Sequence, residues 1–273
     1  MNTKLNVTEQ NNVNTEYKQE KKTKAKLSLL LLVLLIISMV GTTFAWFTMS
    51  DFSSVNNMDI SIGSGVQLLI AGEDHGDDLS LYSSTLTNED INAQLDAYDA
   101  SLADMVLDPL TSADGKVFYT ESGVQRDENN RSFLQFDMYL ISSEDMWVHL
   151  TSTDSKPGMN DGTAVTTSST GGQADIIRCA RISFTDVEEE TTVIYEPNKG
   201  TAVAGQTTFD LPTPMELSNN TRLFKLTALT PKHVTVRIWI EGEDPECDDD
   251  VQRANLQVKL NFEGTDDNNV PLS

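Results

Sequence analysis

The chain of 273 residues carries 42 acidic and 19 basic side chains, which gives a formal net charge of −23. Residues 1–45 hold six Lys and three Glu, so the rest of the chain, with 13 basic and 39 acidic residues, has a net charge of −26. Such a polyanion repels phosphates and anionic lipid head groups, which argues against a nucleic-acid partner. Hydrophobic residues make up 38% of the chain, enough for a packed core, and this excludes wholesale disorder.

The first predicted element is an export signal in residues 1–45. Four lysines between positions 21 and 26 precede an apolar run over residues 27–40. As a helix this run would span roughly 21 Å, short of the ~30 Å of hydrocarbon that a transmembrane helix crosses. Small side chains at Thr43 and Ala45 predict cleavage after Ala45, which makes Trp46 the mature N-terminus. The alternative is an uncleaved anchor, and only this segment would then contact the membrane.

Two segments carry a family resemblance. Residues 41–47 (GTTFAWF), with Asp51 close behind, resemble the export signal of Gram-positive proteins that are processed by the SipW-type signal peptidase, best known from the TasA and camelysin matrix-fibre proteins. Residues 236–247 are similar to a segment that recurs in surface proteins with this signal. The resemblance covers only the two ends of the chain. It implies a SipW-type signal peptidase as a partner, cleavage between Ala45 and Trp46, and a cell-surface, extracellular or biofilm-matrix location.

The same resemblance implies a site of self-association. In fibre proteins of this kind an N-terminal strand is donated to a neighbouring subunit, and here that strand would be 46–57. The donated strand gives backbone hydrogen bonds to an open sheet edge and apolar side chains to a groove. The apolar side chains would come from Trp46, Phe47, Phe52 and Val55. The alternative is that these residues form the first strand of their own sheet.

The first half of the mature domain, 46–273, combines strands with one helix. Alternating apolar residues around a Gly-Ser-Gly segment predict a hairpin over 58–71. Thr87 is a predicted N-cap for a helix whose apolar residues fall three or four apart as far as Met105, and Pro109 ends it. A short strand is predicted over residues 116–121.

The second half is richer in strands. Alternation over 134–140 and 146–150 predicts an antiparallel pair around the turn at residues 142–145, followed by a mobile loop at 151–175. Further strands are predicted at 176–184, 191–195, after Leu223, at 234–240 and at 256–262. Together the elements predict a mainly β fold: an antiparallel β-sandwich, jelly-roll or immunoglobulin-like, with one accessory helix, after the N-terminal signal helix.

The sequence predicts no enzyme. His75, His149 and His233 have no partner at the spacing of a helical zinc site, and no nucleophile elbow or phosphate-binding loop occurs. His149 and His233 fall on the polar faces of predicted strands, where a solvated side chain is expected. Catalytic residues are therefore not assigned.

Cys179 and Cys247 are the two cysteines of the chain. In an oxidising compartment they could form one disulfide, between the strand at 176–184 and the loop after Ile240. The alternative is two buried free thiols.

The loop over residues 241–250 concentrates seven carboxylates between the two closing strands. Calcium takes six to eight oxygen ligands, and a loop with Gly and Pro can bring several together. A calcium site is therefore a hypothesis here, although a solvated acidic loop is the commoner case. Its ligands would be drawn from Glu241, Glu243, Asp244, Glu246 and Asp248. No other cofactor is predicted.

Two functional hypotheses follow. The first is an exported structural protein of the cell surface or biofilm matrix, which self-assembles into fibres by N-terminal strand donation. The alternative is a monomeric surface adhesion or ligand-binding module, whose binding of a glycan or host protein would depend on calcium if the acidic loop holds this ion.

Overall fold

The fold is built from short strands that form two six-stranded sheets and one two-stranded ribbon. The computed structural model describes residues 53–62, 68–127, 132–152 and 162–272, which lie within one compact unit, Met49–Ser273. In chain order the strands of the described residues are β1 (Ser54–Ile62), β2 (Leu68–Ala71), β3 (Thr85–Leu86), β4 (Pro109–Leu110), β5 (Phe118–Tyr119), β6 (Gln125–Arg126), β7 (Leu134–Ser142), β8 (Met146–Leu150), β9 (Ala164–Thr166), β10 (Ala180–Asp186), β11 (Thr191–Tyr195), β12 (Arg222–Leu226), β13 (Lys232–Glu241) and β14 (Asn255–Thr265). The helices are α1 (Asn88–Leu95) and α2 (Ile176–Cys179).

The predicted mainly β sandwich is confirmed. The first sheet has the order β12-β8-β14-β1-β3, with β9 also paired to β14, and the second has the order β11-β10-β13-β7-β2, with β4 beside the end of β13. β1 and β14 run parallel, and so do β4 and β13, whereas the other ladders between named strands are antiparallel. The first and last described strands of the chain are therefore neighbours in one sheet.

The core lies between the two sheets. Val236 and Ile238 of β13 and Leu260 of β14 are fully buried. The rings of Phe184, from the second sheet, and Phe262, from the first, meet edge to face with their centroids 5.9 Å apart. Burying one such side chain stabilises the folded state by about 1.5–3 kcal/mol. The face of each closing strand that carries the alternate apolar residues therefore packs against the other sheet.

Both predicted hairpins are wrong, for one reason. β1 pairs with β14 and β3, whereas β2 pairs with β7 in the other sheet. β7 pairs with β13 and β2, whereas β8 pairs with β14 and β12, so the turn at residues 142–145 carries the chain from one sheet to the other. Apolar alternation shows which face of a strand is buried, but a strand that crosses the sandwich shows the same alternation as one that folds back.

The predicted helix begins as expected and ends early. The Thr87 hydroxyl accepts the backbone N–H of Asp90 at 3.2 Å, and the Asp90 carboxylate accepts the N–H of Thr87 at 2.8 Å, a reciprocal capping box. α1 ends at Leu95, and after one 3₁₀ turn Asp99 has a φ of 54°. A left-handed residue cannot continue a right-handed helix, so the helix stops well before Pro109.

The middle of the chain contains a second helix that the sequence did not predict. Residues 176–179 form α2, a second helix, so the strand predicted at 176–184 begins only at Ala180. The strand predicted at 191–195 is confirmed as β11. Within the predicted mobile loop, β9 and a 3₁₀ turn at Gly171–Asp175 are ordered elements, and residues 153–161 lie outside the described residues.

Candidate functional site

The N-terminal strand is part of the first sheet. Val55 is 1% exposed and pairs with Leu256 of β14. Its side chain therefore lies in the chain's own core, as the alternative interpretation of the assembly segment expects. The predicted cleavage site at Ala45 and Trp46, and the predicted assembly residues Phe47 and Phe52, lie outside the described residues. Among the described residues, no helix has the length and apolar character needed to cross a bilayer.

The carboxylates of the predicted calcium loop point to separate partners. Glu241 accepts the indole N–H of Trp239 at 3.0 Å, and Glu246 accepts the hydroxyl of Thr201 at 3.0 Å. The side chain of Asp248 caps its own turn, and Glu243 is exposed. Within the described part of the chain, no three His, Cys, Asp or Glu side chains converge as a metal site requires. Calcium binding stays a prediction, and it would require these side chains to leave their present partners.

The remaining carboxylate of that set, Asp244, belongs to a buried ionic cluster. Its Oδ2 lies 2.6 Å from Nη2 of Arg181, and the same Nη2 is 3.4 Å from Oε1 of Glu196. Arg181 is fully buried at the start of β10, and it also donates to the Gln206 amide oxygen at 3.1 Å. The other end of Gln206 donates to Glu241 at 2.9 Å. One guanidinium on β10 thus holds together the acidic loop and the segment that follows β11.

The pKa values of Asp244 and Glu246 are shifted in opposite directions. Burial and, secondly, the hydrogen bond with Glu246 together raise the pKa of Asp244 to about 6, while the same hydrogen bond lowers the pKa of Glu246 to about 2. Between these values the pair keeps one proton. Because Asp244 holds its proton more tightly in the folded protein, its contribution to stability is present below pH 4 and is lost as the pH rises through about 6.

The two thiols lie next to this cluster. Cys179 ends α2, Cys247 lies in the acidic loop, and both are buried and free. A direct hydrogen bond with Cys247, together with burial, raises the pKa of the Cys179 thiol. The fold has therefore brought together two residues that are far apart in the sequence, in a place where either a thiol pair or a disulfide could form.

His149 corrects the expectation of a solvated histidine. It is fully buried in β8, with Nδ1 2.9 Å from the hydroxyl of Thr221 and Nε2 2.9 Å from the hydroxyl of Thr265. Burial, and secondly the charge of Arg222, lower its pKa to about 4. His233 is half-buried, stacked on Tyr139 with a centroid distance of 4.5 Å.

The depressed pKa of His149 predicts acid sensitivity. The folded state rejects a proton that the unfolded chain takes up near pH 6.5, so this stability is present above pH 6.5 and is lost as the pH falls through about 4. We expect His149 to account for about 3 kcal/mol of the free energy of unfolding lost between pH 7 and pH 4. Urea denaturation of the wild-type chain and of His149→Gln at both pH values measures this difference. His75→Gln is the matched control and should retain the full loss, and an equal loss in His149→Gln would contradict the prediction.

Neither the ionic cluster nor the buried histidine was anticipated from the sequence. The sequence does hold one indication of the ionic cluster: Arg181 is the only basic residue within the mainly apolar stretch of residues 179–184, where a buried cation needs a buried anion. Comparison with protein-family models, with curated proteins and with solved structures finds no match to this chain.

Proposed function

We propose that this protein is an exported structural protein of the cell surface or extracellular matrix, which self-assembles through the chain segment freed by cleavage after Ala45. The observation that carries the proposal is the position of β1. It begins at Ser54, only eight residues after the predicted mature N-terminus at Trp46, and it lies within the first sheet. Cleavage would therefore leave a short arm, residues 46–52, ahead of Ser53, which is buried in the domain and donates its hydroxyl to the carbonyl oxygen of Val251 at 3.2 Å.

The arm has the composition of a donated strand. Its large apolar side chains are those of Trp46, Phe47 and Phe52. An arm this short cannot bury them by itself, so they would need a groove on a second copy. An added strand needs an edge with unpaired backbone groups. β12 is such an edge, because among the described residues it forms a ladder only with β8.

Side chains beside β12 suit this partner. The guanidinium carbon of Arg222 lies 4.5 Å and the ammonium of Lys225 5.6 Å from the ring centroid of Trp147. These side chains form an aromatic patch with two cations and one carboxylate, since Asp267 lies 3.7 Å from the Lys225 ammonium and accepts the indole N–H of Trp147 at 3.0 Å. The patch therefore keeps a net positive charge on a protein whose mature part is strongly acidic. It would accept the aromatic arm and its single carboxylate, Asp51, from a second copy.

Three chains test the proposal: the full chain, a chain that begins at Trp46, and a chain that begins at Ser54. Each is examined by electron microscopy and light scattering at several concentrations, with thermal melting as the control for folding. We expect filaments only from the chain that begins at Trp46. Filaments from the Ser54 chain would contradict a role for the arm, and a Trp46 chain that stays monomeric would favour the alternative, a monomeric surface-binding module.

A further inference from the structure

Two adjoining cavities lie beside α1, where the segment after β2 passes over the outer face of the second sheet. The larger has a volume of about 410 Å³ and the smaller about 220 Å³, and both are lined by Gly72, Glu73 and Gln94. The amide nitrogen of Gln94 donates to the carbonyl oxygens of Gly72 at 2.9 Å and Asp137 at 2.8 Å, and its oxygen accepts the backbone N–H of Asp137 at 2.7 Å. A side chain that borders both cavities is thus held in place by the backbone.

The smaller cavity combines aromatic rings with carboxylates. Tyr98 and Tyr139 line it, together with Glu73, Asp74 and Asp137. Tyr98 is 41% exposed although it is a large aromatic residue, and the side chain of Asp137 is also 41% exposed. Burial raises the pKa of Tyr139, and the negative charges of Asp137 and Asp74 act in the same direction.

The larger cavity has a mixed, mainly polar lining. Its exposed apolar side chains are Ala93 and Leu81, which is 55% exposed, whereas Ile70 also borders it but is only 1% exposed. Among the described residues that line the two cavities, none is Lys or Arg. The carboxylates of these linings include Glu73, Asp74, Asp90 and Asp137, and the bases that lie against them are imidazoles: Nε2 of His75 is 3.8 Å from Glu73, and Nε2 of His233 is 3.2 Å from Asp137.

We propose that these paired cavities bind an extended basic polypeptide segment, with a Lys or Arg side chain in the smaller cavity and a neighbouring apolar side chain in the larger. The exposed ring of Tyr98 and the carboxylates together favour a cationic head group, because the ring quadrupole and the negative charges act in the same direction. One face of Tyr139 is already stacked on His233, so Tyr98 is the ring that would contact the cation. Leu81 and Ala93 of the larger cavity supply apolar contact area that a free inorganic cation would leave unused. The partner is identified by charge complementarity, and binding does not depend on fibre formation.

The probe is a short fluorescent peptide of alternating Lys and Leu, titrated with the chain that begins at Ser54 and followed by fluorescence anisotropy. A peptide of alternating Glu and Leu is the control for sequence. We expect saturable binding of the basic peptide alone, and Tyr98→Ala should weaken it about tenfold, in the range of a partly desolvated cation–π contact. Glu73→Gln should weaken it in the same direction.

Matched variants separate this site from general attraction to a polyanion. Tyr119 is 40% exposed and lies outside both cavities, so Tyr119→Ala should leave the affinity unchanged. Glu89→Gln is the corresponding control for Glu73→Gln. The proposal is overturned if Tyr98→Ala and Tyr119→Ala bind equally well, if the basic peptide does not saturate, or if spermidine or calcium binds as tightly as the peptide. Thermal melting of each variant shows that the fold is retained.

Discussion

Replacing Arg181 with methionine should lower the free energy of unfolding by about 3–5 kcal/mol, because it leaves the buried carboxylates of Asp244 and Glu196 without their cation. The change also removes donors to the Gln206 amide and to the backbone carbonyl of Arg178, the latter at 2.7 Å. Urea denaturation at pH 7.5, where Asp244 has lost its proton, gives the largest effect. At pH 5 the loss should be smaller, since a protonated Asp244 needs no counter-charge.

Two further variants show that charge, and not packing volume, causes the loss. Arg178→Met removes the same side chain three residues earlier, where it is 52% exposed in a pair with Asp175, and should change stability by less than about 1 kcal/mol. The double variant Arg181→Met with Asp244→Leu should regain part of the loss, because it removes one stranded charge. Equal stability of wild type and Arg181→Met at pH 7.5 would refute the prediction.

Mild oxidation should join Cys179 to Cys247 and raise the free energy of unfolding by about 4 kcal/mol, the value expected for closing a loop of this length. The hydrogen bond between the two thiols, which raises the pKa of Cys179, places them close enough to be candidates for such a bond. In oxidised glutathione the first thiol forms a mixed disulfide, and the second displaces glutathione, so that the protein loses two hydrogen atoms and glutathione is reduced. Intact mass and urea denaturation, with and without reductant, measure the change.

Cys247→Ala is the control for oxidation. It should show the same stability in oxidising and reducing buffer, whereas the wild-type chain should differ between them. If both wild-type thiols remain free after oxidation and are alkylated only on unfolding, the pair is a structural contact between buried thiols. That result would support the alternative drawn from the sequence.

The faces of the strands could be predicted from the sequence, but the partners of the strands could not. Val234 to Ile240 in β13 alternate as expected, and every inward position is buried. The same alternation in β7 and β8 gave no sign that the turn between them crosses the sandwich, because a period of two is identical in both arrangements. Pairing depends on contacts between residues far apart in the chain, which a local pattern does not contain.

The burial of polar residues could not be predicted from the sequence, for a different reason. His149 was placed correctly on the polar face of its strand, but Thr221, from a distant turn, and Thr265, from β14, enclose it there. A face that is polar in sequence can be buried when another segment supplies hydrogen-bond partners. The carboxylates of the acidic loop do not converge, for the same reason. Arg181 donates to Asp244 and Trp239 donates to Glu241, so each carboxylate is held by a partner outside the loop.

The parallel pairing of β1 with β14 has a mechanical consequence. In a filament of the proposed kind, tension would enter a subunit through its N-terminal arm and leave through the acceptor strand β12, which β8 joins to the C-terminal part of β14. Because the two strands run parallel, these forces act at opposite ends of their shared ladder and load it in shear. The eight residue pairs from Ser54 to Ile62 would then resist together, whereas a ladder pulled from one end opens one pair at a time.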